Sequence, residues 1–269
     1  MNIFDFLSHG FIQRALVAGS FIAILCSTLG VFLVLRRFSL IGDGLGHVTF
    51  GSVAIGLLLR VYPIGIAIPI AMIASLGILK LIEKARIYGD AAIGIVSSLG
   101  IATGVLLASL AGGFNIDLFS YLFGNILTIN TMEVVTSMIL SGILILVILF
   151  YYHELLAITF DEESARVSGI KVERINKILV LLTAVTIVLA MRVVGIMLVS
   201  ALLILPSVTA LQWNKGFKGT IIIASLIGVI SVIVGIGIAF VIDLPPGATI
   251  VIVNFLFLLL AVGVRTIRS

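Results

Sequence analysis

The chain has 269 residues, 61% of them hydrophobic and only 10% charged, with a mean hydropathy of +1.37; these values exclude an ordinary soluble domain and indicate a polytopic membrane protein. The net charge of +4 does not point to nucleic acid, because the basic residues lie at the ends of apolar runs without interleaved aromatics, as membrane-surface anchors do. A single cysteine, Cys26, excludes both an internal disulfide framework and a thiolate metal centre.

Before the first apolar run the sequence shows no basic region and no small-residue cleavage site, so that run is expected to target the chain itself. A helix needs about 20 apolar residues to cross the hydrocarbon core. Breaks at charge, Pro and Gly clusters predict nine such spans, at 12–35, 42–60, 62–82, 91–112, 132–152, 173–192, 195–213, 219–241 and 247–264. The second and third are joined by almost no loop, since only Arg60-Val61-Tyr62-Pro63 lies at their boundary. Leu, Ile, Val and Ala run without period-2 alternation, so the spans are read as helices rather than barrel strands. No stretch of Pro, Ser or charge separates two units, and a single transmembrane domain over 1–269 is expected.

When the loops alternate sides, 13 of the 16 basic residues fall on one side and only Arg14, Arg60 and Arg192 on the other. The positive-inside rule then places the N-terminus outside and the C-terminus in the cytoplasm, and it supports an odd number of spans.

Asp43 and His47 are the most informative pair. On a helix they stand at i and i+4, on one face, with Cβ atoms about 6 Å apart. An ionised residue within a membrane helix costs roughly 2.5–3.5 kcal/mol on insertion scales, so it tends to face a pathway. Asp43 also suits a helix N-cap, and His47 a hydrogen bond to a neighbouring carbonyl. Carboxylate with imidazole fits Zn²⁺, Mn²⁺ or Fe²⁺ and falls short of the four ligands of a closed structural site. Ligation needs neutral imidazole, so occupancy of such a site by a metal ion is expected to fall as pH drops.

The longest basic-side connection contains a short helix within 153–172, opened by Asp161-Glu162-Glu163 and closed by Gly169, where acids suit the N-terminal end and glycine the C′ position. Small Ala165, with Phe160 and Val167 nearby, is expected to present a surface to a partner; an amphipathic connector resting on the membrane is the alternative. His153-Glu154-Leu155-Leu156-Ala157 lacks the second histidine of a zinc-protease helix, and no phosphate-binding G-x-x-x-x-G-K-[ST] loop occurs. The chain is therefore not expected to hydrolyse ATP. Pro206 removes a backbone bond and is expected to bend its helix, with Ser207 and Thr209 serving the freed carbonyls; a pore-lining bend and plain helix packing are equal readings of it. Gly228, Ser231, Gly235 and Gly237 are assigned to close helix packing. Asp117, Glu133 and Asp243 fall on the outer side, where they are read either as attracting cations to the mouth or, more plainly, as hydrated loop acids.

Four stretches together are similar to the permease subunit of the metal-ion ABC transporters: Leu35 to His47, Ile116 to Leu127, Phe160 to Ile170, and Met191 to Pro206. The resemblance implies an all-α permease of type II importer form in a bacterial plasma membrane, acting as a homodimer. It implies a cytoplasmic ATP-binding subunit docked on a coupling helix, here Asp161, Glu162, Glu163, Ala165 and Gly169. It implies an extracytoplasmic metal-binding protein, for which Arg14, Arg60 and Arg192 are docking candidates, snorkelling at the interface being the plainer role. Asp43 and His47 become the site of the transported ion, with no permanently bound cofactor. Pro206 and Ser207 are candidates for a pore bend or gate. Zinc is favoured slightly over manganese or iron, on the likeness of the stretch from Ala190 to Gln212. A stand-alone secondary cation carrier or channel is the competing reading. Gly44 and Gly46 stand where the family commonly has alanine and serine, which is expected to loosen the helix by about 1 kcal/mol per glycine.

Overall fold

The computed structural model describes residues 10–110, 121–122, 124, 130–191, 194–213 and 215–268, and among them every regular element is helical. In chain order these are α1 (Gly10–Leu35), α2 (Ile41–Leu58), α3 (Pro63–Glu83), α4 (Gly89–Leu110), α5 (Thr131–Phe150), α6 (Tyr152–Phe160), α7 (Glu162–Val167), α8 (Val172–Ala190), a 3₁₀ turn (Ile196–Leu198), α9 (Val199–Leu211), α10 (Gly216–Ile242) and α11 (Pro246–Arg268). Each expected span contains one of these helices, with ends moved by a few residues.

Among the described residues, seven helices are long and apolar enough to cross a membrane: α1 to α5, α10 and α11. The other two expected spans fall short for different reasons. Helix α9 has 13 residues, a rise of about 20 Å against a hydrocarbon core of about 30 Å. Helix α8 begins with Glu173, Arg174 and Lys177 and is walled in by protein, with Ala184, Ile187 and Val188 wholly buried. Its Thr183 and Thr186 hydroxyls donate to the carbonyls of Leu179 and Leu182 at 2.8 and 2.7 Å, so burial leaves no hydroxyl unsatisfied.

Helix α1 runs through the centre. Leu25, Cys26, Leu29 and Phe32 are fully buried there, and α1 packs on α10, α9, α5 and α8. The outer helices turn Ile73, Leu99, Leu146, Ile222 and Leu260 outward, an apolar surface of the kind acyl chains cover.

Small residues set the helix spacing. A methyl group on Gly44 would lie 2.6 Å from Ile93 Cγ2, and one on Gly46 would lie 3.3 Å from the Ile196 carbonyl oxygen. These glycines therefore seat α2 between α4 and the 3₁₀ turn, which gives them a packing role beside the helix cost expected from the sequence. Gly228 meets Ser27 and Ala23 of α1, and Gly235 meets Ile250 of α11, as expected; Gly237 faces open space.

The α2–α3 turn is as short as the sequence implied. Pro63 takes the first turn of α3, where its missing N–H costs nothing. Arg60, at φ 55°, ends α2 as its Val61 neighbour donates to the Gly56 carbonyl at 3.0 Å. Glu133 departs from expectation. It is 5% exposed, closes a reciprocal cap with Asn130 at the start of α5, and accepts from the Tyr62 hydroxyl at 3.3 Å, so it is a capping residue and not a loop acid. Asp243 ends α10 in the left-handed conformation and is exposed. Asp117 lies outside the described residues.

Candidate metal site and connector surface

Helix α2 carries both members of the pair. Leu40 holds the N-cap position without a side-chain bond, and Asp43, the third helical residue, is not the cap. A carboxylate in the first turn is favoured by the helix dipole. Asp43 Oδ2 lies 3.5 Å from His47 Nε2, with the aspartate side chain 56% exposed and the histidine 18%. Two ligands at about 2.0–2.2 Å from a shared ion and 3.5 Å from each other subtend about 105–120° at it, near the tetrahedral angle.

The strip bearing the pair lies between two covered faces of α2. Gly42 and Gly46 face Ser200, Leu203 and Ile196, whereas Gly44 and Gly51 face Ile93 and Gly100. Farther along the same strip Phe50 and Ala54 are buried, at 5% and 4% exposure, so at this end of α2 the strip opens at Asp43 and closes beyond His47. Among the described residues no group of three or more His, Cys, Asp or Glu side chains gathers to hold a metal. Asp43 and His47 thus gain no third carboxylate, imidazole or thiolate neighbour among the described residues.

The connector forms as the sequence predicts. Asp161 caps α7, accepting from the Ser164 amide at 3.0 Å and from its hydroxyl. Those bonds hold the Asp161 carboxyl below the usual carboxylate range. Gly169, at φ +86°, donates to the Arg166 carbonyl, and Ile170 to that of Ala165, both at 3.1 Å; this is the Schellman closure that glycine permits. Ala165 departs from expectation. It is 3% exposed and turned inward, so it lines the connector instead of facing a partner, while Phe160 and Val167 are 69% and 90% exposed. Asp161, Glu163 and Gly169 share that outer surface. Glu162 is engaged internally, 2.8 Å from Arg36 and 3.7 Å from Arg166.

Pro206 sits inside α9, which runs through it. The carbonyl it deprives of a donor is that of Leu202, whereas Ser207 donates toward Leu203 and Ser27 at 2.9 and 3.1 Å, and Thr209 to Leu205 at 2.7 Å. The hydroxyls thus serve neighbouring carbonyls, and Ser207 ties α9 to α1. Arg60 is exposed at the α2–α3 turn, Arg14 is half-buried with its Nε unpartnered, and Arg192 lies outside the described residues.

Sequence reasoning missed Arg36. Its place at the end of an apolar run reads as a surface anchor, yet its side chain is 7% exposed and bonds Asn176 at 2.7 Å and Glu162 at 2.8 Å. Partners 140 and 126 positions away leave no local signal; only an arginine ending an apolar helix, opposite an asparagine inside another, hinted at it.

The chain matches the ABC 3 transport family over residues 8–265. It is 34% identical to the manganese transport system membrane protein MntC of Halalkalibacterium halodurans, over 92% of this chain and 85% of that protein. It is 33% identical to a probable iron transport system membrane protein of Haemophilus influenzae, over 97% and 96%. The solved structure of PsaBC from Streptococcus pneumoniae in complex with Fab superposes with a TM-score of 0.84 at 30% identity, covering 97% of this chain and 95% of that one. The two membrane proteins are named for manganese and iron, so the expected preference for zinc draws no support from them. A match across nearly the whole length, on a bundle of apolar helices of the same fold, makes the chain a member of the ABC 3 transport family, a multi-pass plasma-membrane permease of metal-ion ABC transporters.

Proposed function

We propose that this permease passes a divalent transition-metal ion across the membrane and that Asp43 and His47 grip the ion in transit. The carrying observation is their 3.5 Å separation on one open strip of α2, a bite suited to a shared cation. Two ligands make a weak site, which suits release, and a second copy of the chain can add a second pair. Manganese is the first candidate, because relatives at 34% identity are named for it, with iron next and zinc admitted by the same ligand chemistry. Nine crossings with the N-terminus outside fit the charge asymmetry, α8 and α9 completing the spans inside the protein.

The exposed connector surface of Asp161, Glu163, Phe160, Val167 and Gly169 docks the ATP-binding subunit, and Arg60, with Arg14 and Arg192, meets the extracytoplasmic binding protein. Pro206 and Ser207, buried where α9 packs on α1, serve as the bend of α9 beside the path. The test is uptake of Mn²⁺, Fe²⁺ and Zn²⁺ by cells lacking the transporter, complemented with the parent, Asp43→Ala or His47→Ala. Both variants are expected to reach the membrane at parent levels and to lose nearly all uptake. Full uptake by either variant refutes the site, and uptake without any ATP-binding subunit refutes the ABC mechanism in favour of a carrier.

A further inference from the structure

Arg36 is a nearly buried cation serving three elements at once. It follows α1, donates through one guanidinium nitrogen to Asn176 of α8 at 2.7 Å and through another to Glu162 of α7 at 2.8 Å, and lies 5.5 Å from the centre of the Phe38 ring. Glu83 of α3 borders the same cavity, about 340 Å³ in volume. A buried ion pair is a poor source of net stability, because desolvation offsets most of its attraction. What a guanidinium fork supplies is a fixed geometry among its partners.

That geometry leads to the metal pair through a hydrogen-bonded turn. Arg37 donates to the Val34 carbonyl at 3.1 Å and Phe38 to that of Leu33 at 2.8 Å, while Ile41 donates to the Phe38 carbonyl at 3.1 Å. Ile41 begins α2, and Asp43 is two residues on. A continuous path of hydrogen bonds thus runs from α7 through Glu162, Arg36 and this turn to the start of the helix that bears Asp43 and His47.

We propose that Arg36 is the positioning residue that couples the α7 connector to the Asp43–His47 pair, so that movement of the connector by its ATP-binding partner reshapes the metal grip. The proposal rests on the function proposed above. Arg36→Met removes the fork while Glu162 keeps Arg166 at 3.7 Å, so no carboxylate is stranded.

In the full transporter reconstituted in liposomes, Arg36→Met is expected to bind Mn²⁺ within about threefold of the parent and to retain ATP hydrolysis. Metal moved per ATP is expected to fall about tenfold or more, the size of an ordinary coupling factor. The reciprocal exchange, Arg36→Glu with Glu162→Arg, is expected to restore much of it, since Asn176 can also donate through its amide. Parent-level transport per ATP in Arg36→Met overturns the proposal, as does loss of Mn²⁺ binding in parallel with transport.

A second measurement is independent of cargo. Spin labels at Val167→Cys and Leu40→Cys use positions 90% and 51% exposed, with the native Cys26 buried. One narrow distance is expected in the parent with and without ATP, and a broad distribution in Arg36→Met. An equally narrow distance in the variant refutes the link even if the parent carries no divalent metal, a result that would instead refute the proposed function.

Discussion

Gly100→Ala probes how α4 holds the metal pair in place. A methyl group on Gly100 would lie 2.7 Å from Val48 Cα and N and 2.8 Å from the carbonyl carbon of His47. Those are backbone atoms, so no side-chain rotation relieves the overlap. Restoring ordinary contact requires α4 and α2 to part by about 0.7 Å at Val48, next to His47. Overpacking of this kind costs about 1–3 kcal/mol, against a gain of up to about 1 kcal/mol from replacing glycine in a helix; the net expectation is a loss of up to about 2 kcal/mol. The larger effect is on binding, because metal ligands tolerate displacements of only about 0.2 Å, and disturbed support of a ligand typically costs about tenfold or more in affinity.

Gly94→Ala is the control within the same helix, since a methyl there meets nothing within 4 Å. The assay is Mn²⁺ affinity and thermal unfolding of the purified permease for both variants. Gly100→Ala is expected to lower both, and Gly94→Ala to leave affinity unchanged and stability equal or higher. Equal behaviour of the two variants refutes the packing argument.

Two further outcomes concern the connector. Gly169→Ala places a Cβ at φ +86°, costing about 1–2 kcal/mol, so co-purification of the ATP-binding subunit should weaken, with Gly169→Asn milder because asparagine tolerates this region. Equal co-purification of the alanine variant would refute the closure as a docking requirement. The Asp161 carboxyl is held low by the Ser164 hydroxyl and amide, so its stabilisation of α7 is present above the usual carboxylate range and is lost as pH falls through the lowered value. Hydrogen exchange at the α7 amides should accelerate on that acidification in the parent and much less in Asp161→Asn, which caps without titrating. Identical pH profiles would count against the cap.

The positions of the helices were legible in the sequence because lipid imposes an unbroken apolar length on each crossing, and charge, Pro and Gly mark the breaks. The Asp43–His47 pair was legible for a related reason, its i, i+4 spacing being a property of the helix alone, and so were the two caps of α7, set by Asp161 and Gly169. The direction in which a side chain faces its neighbours was decided only by the tertiary structure. Ala165 turned inward, Glu133 became a buried cap, and Gly44 and Gly46 became contact points, because each depends on which helix lies alongside. Arg36 shows this most plainly, since its two partners, more than a hundred residues distant in the chain, meet it only once α1, α7 and α8 have packed.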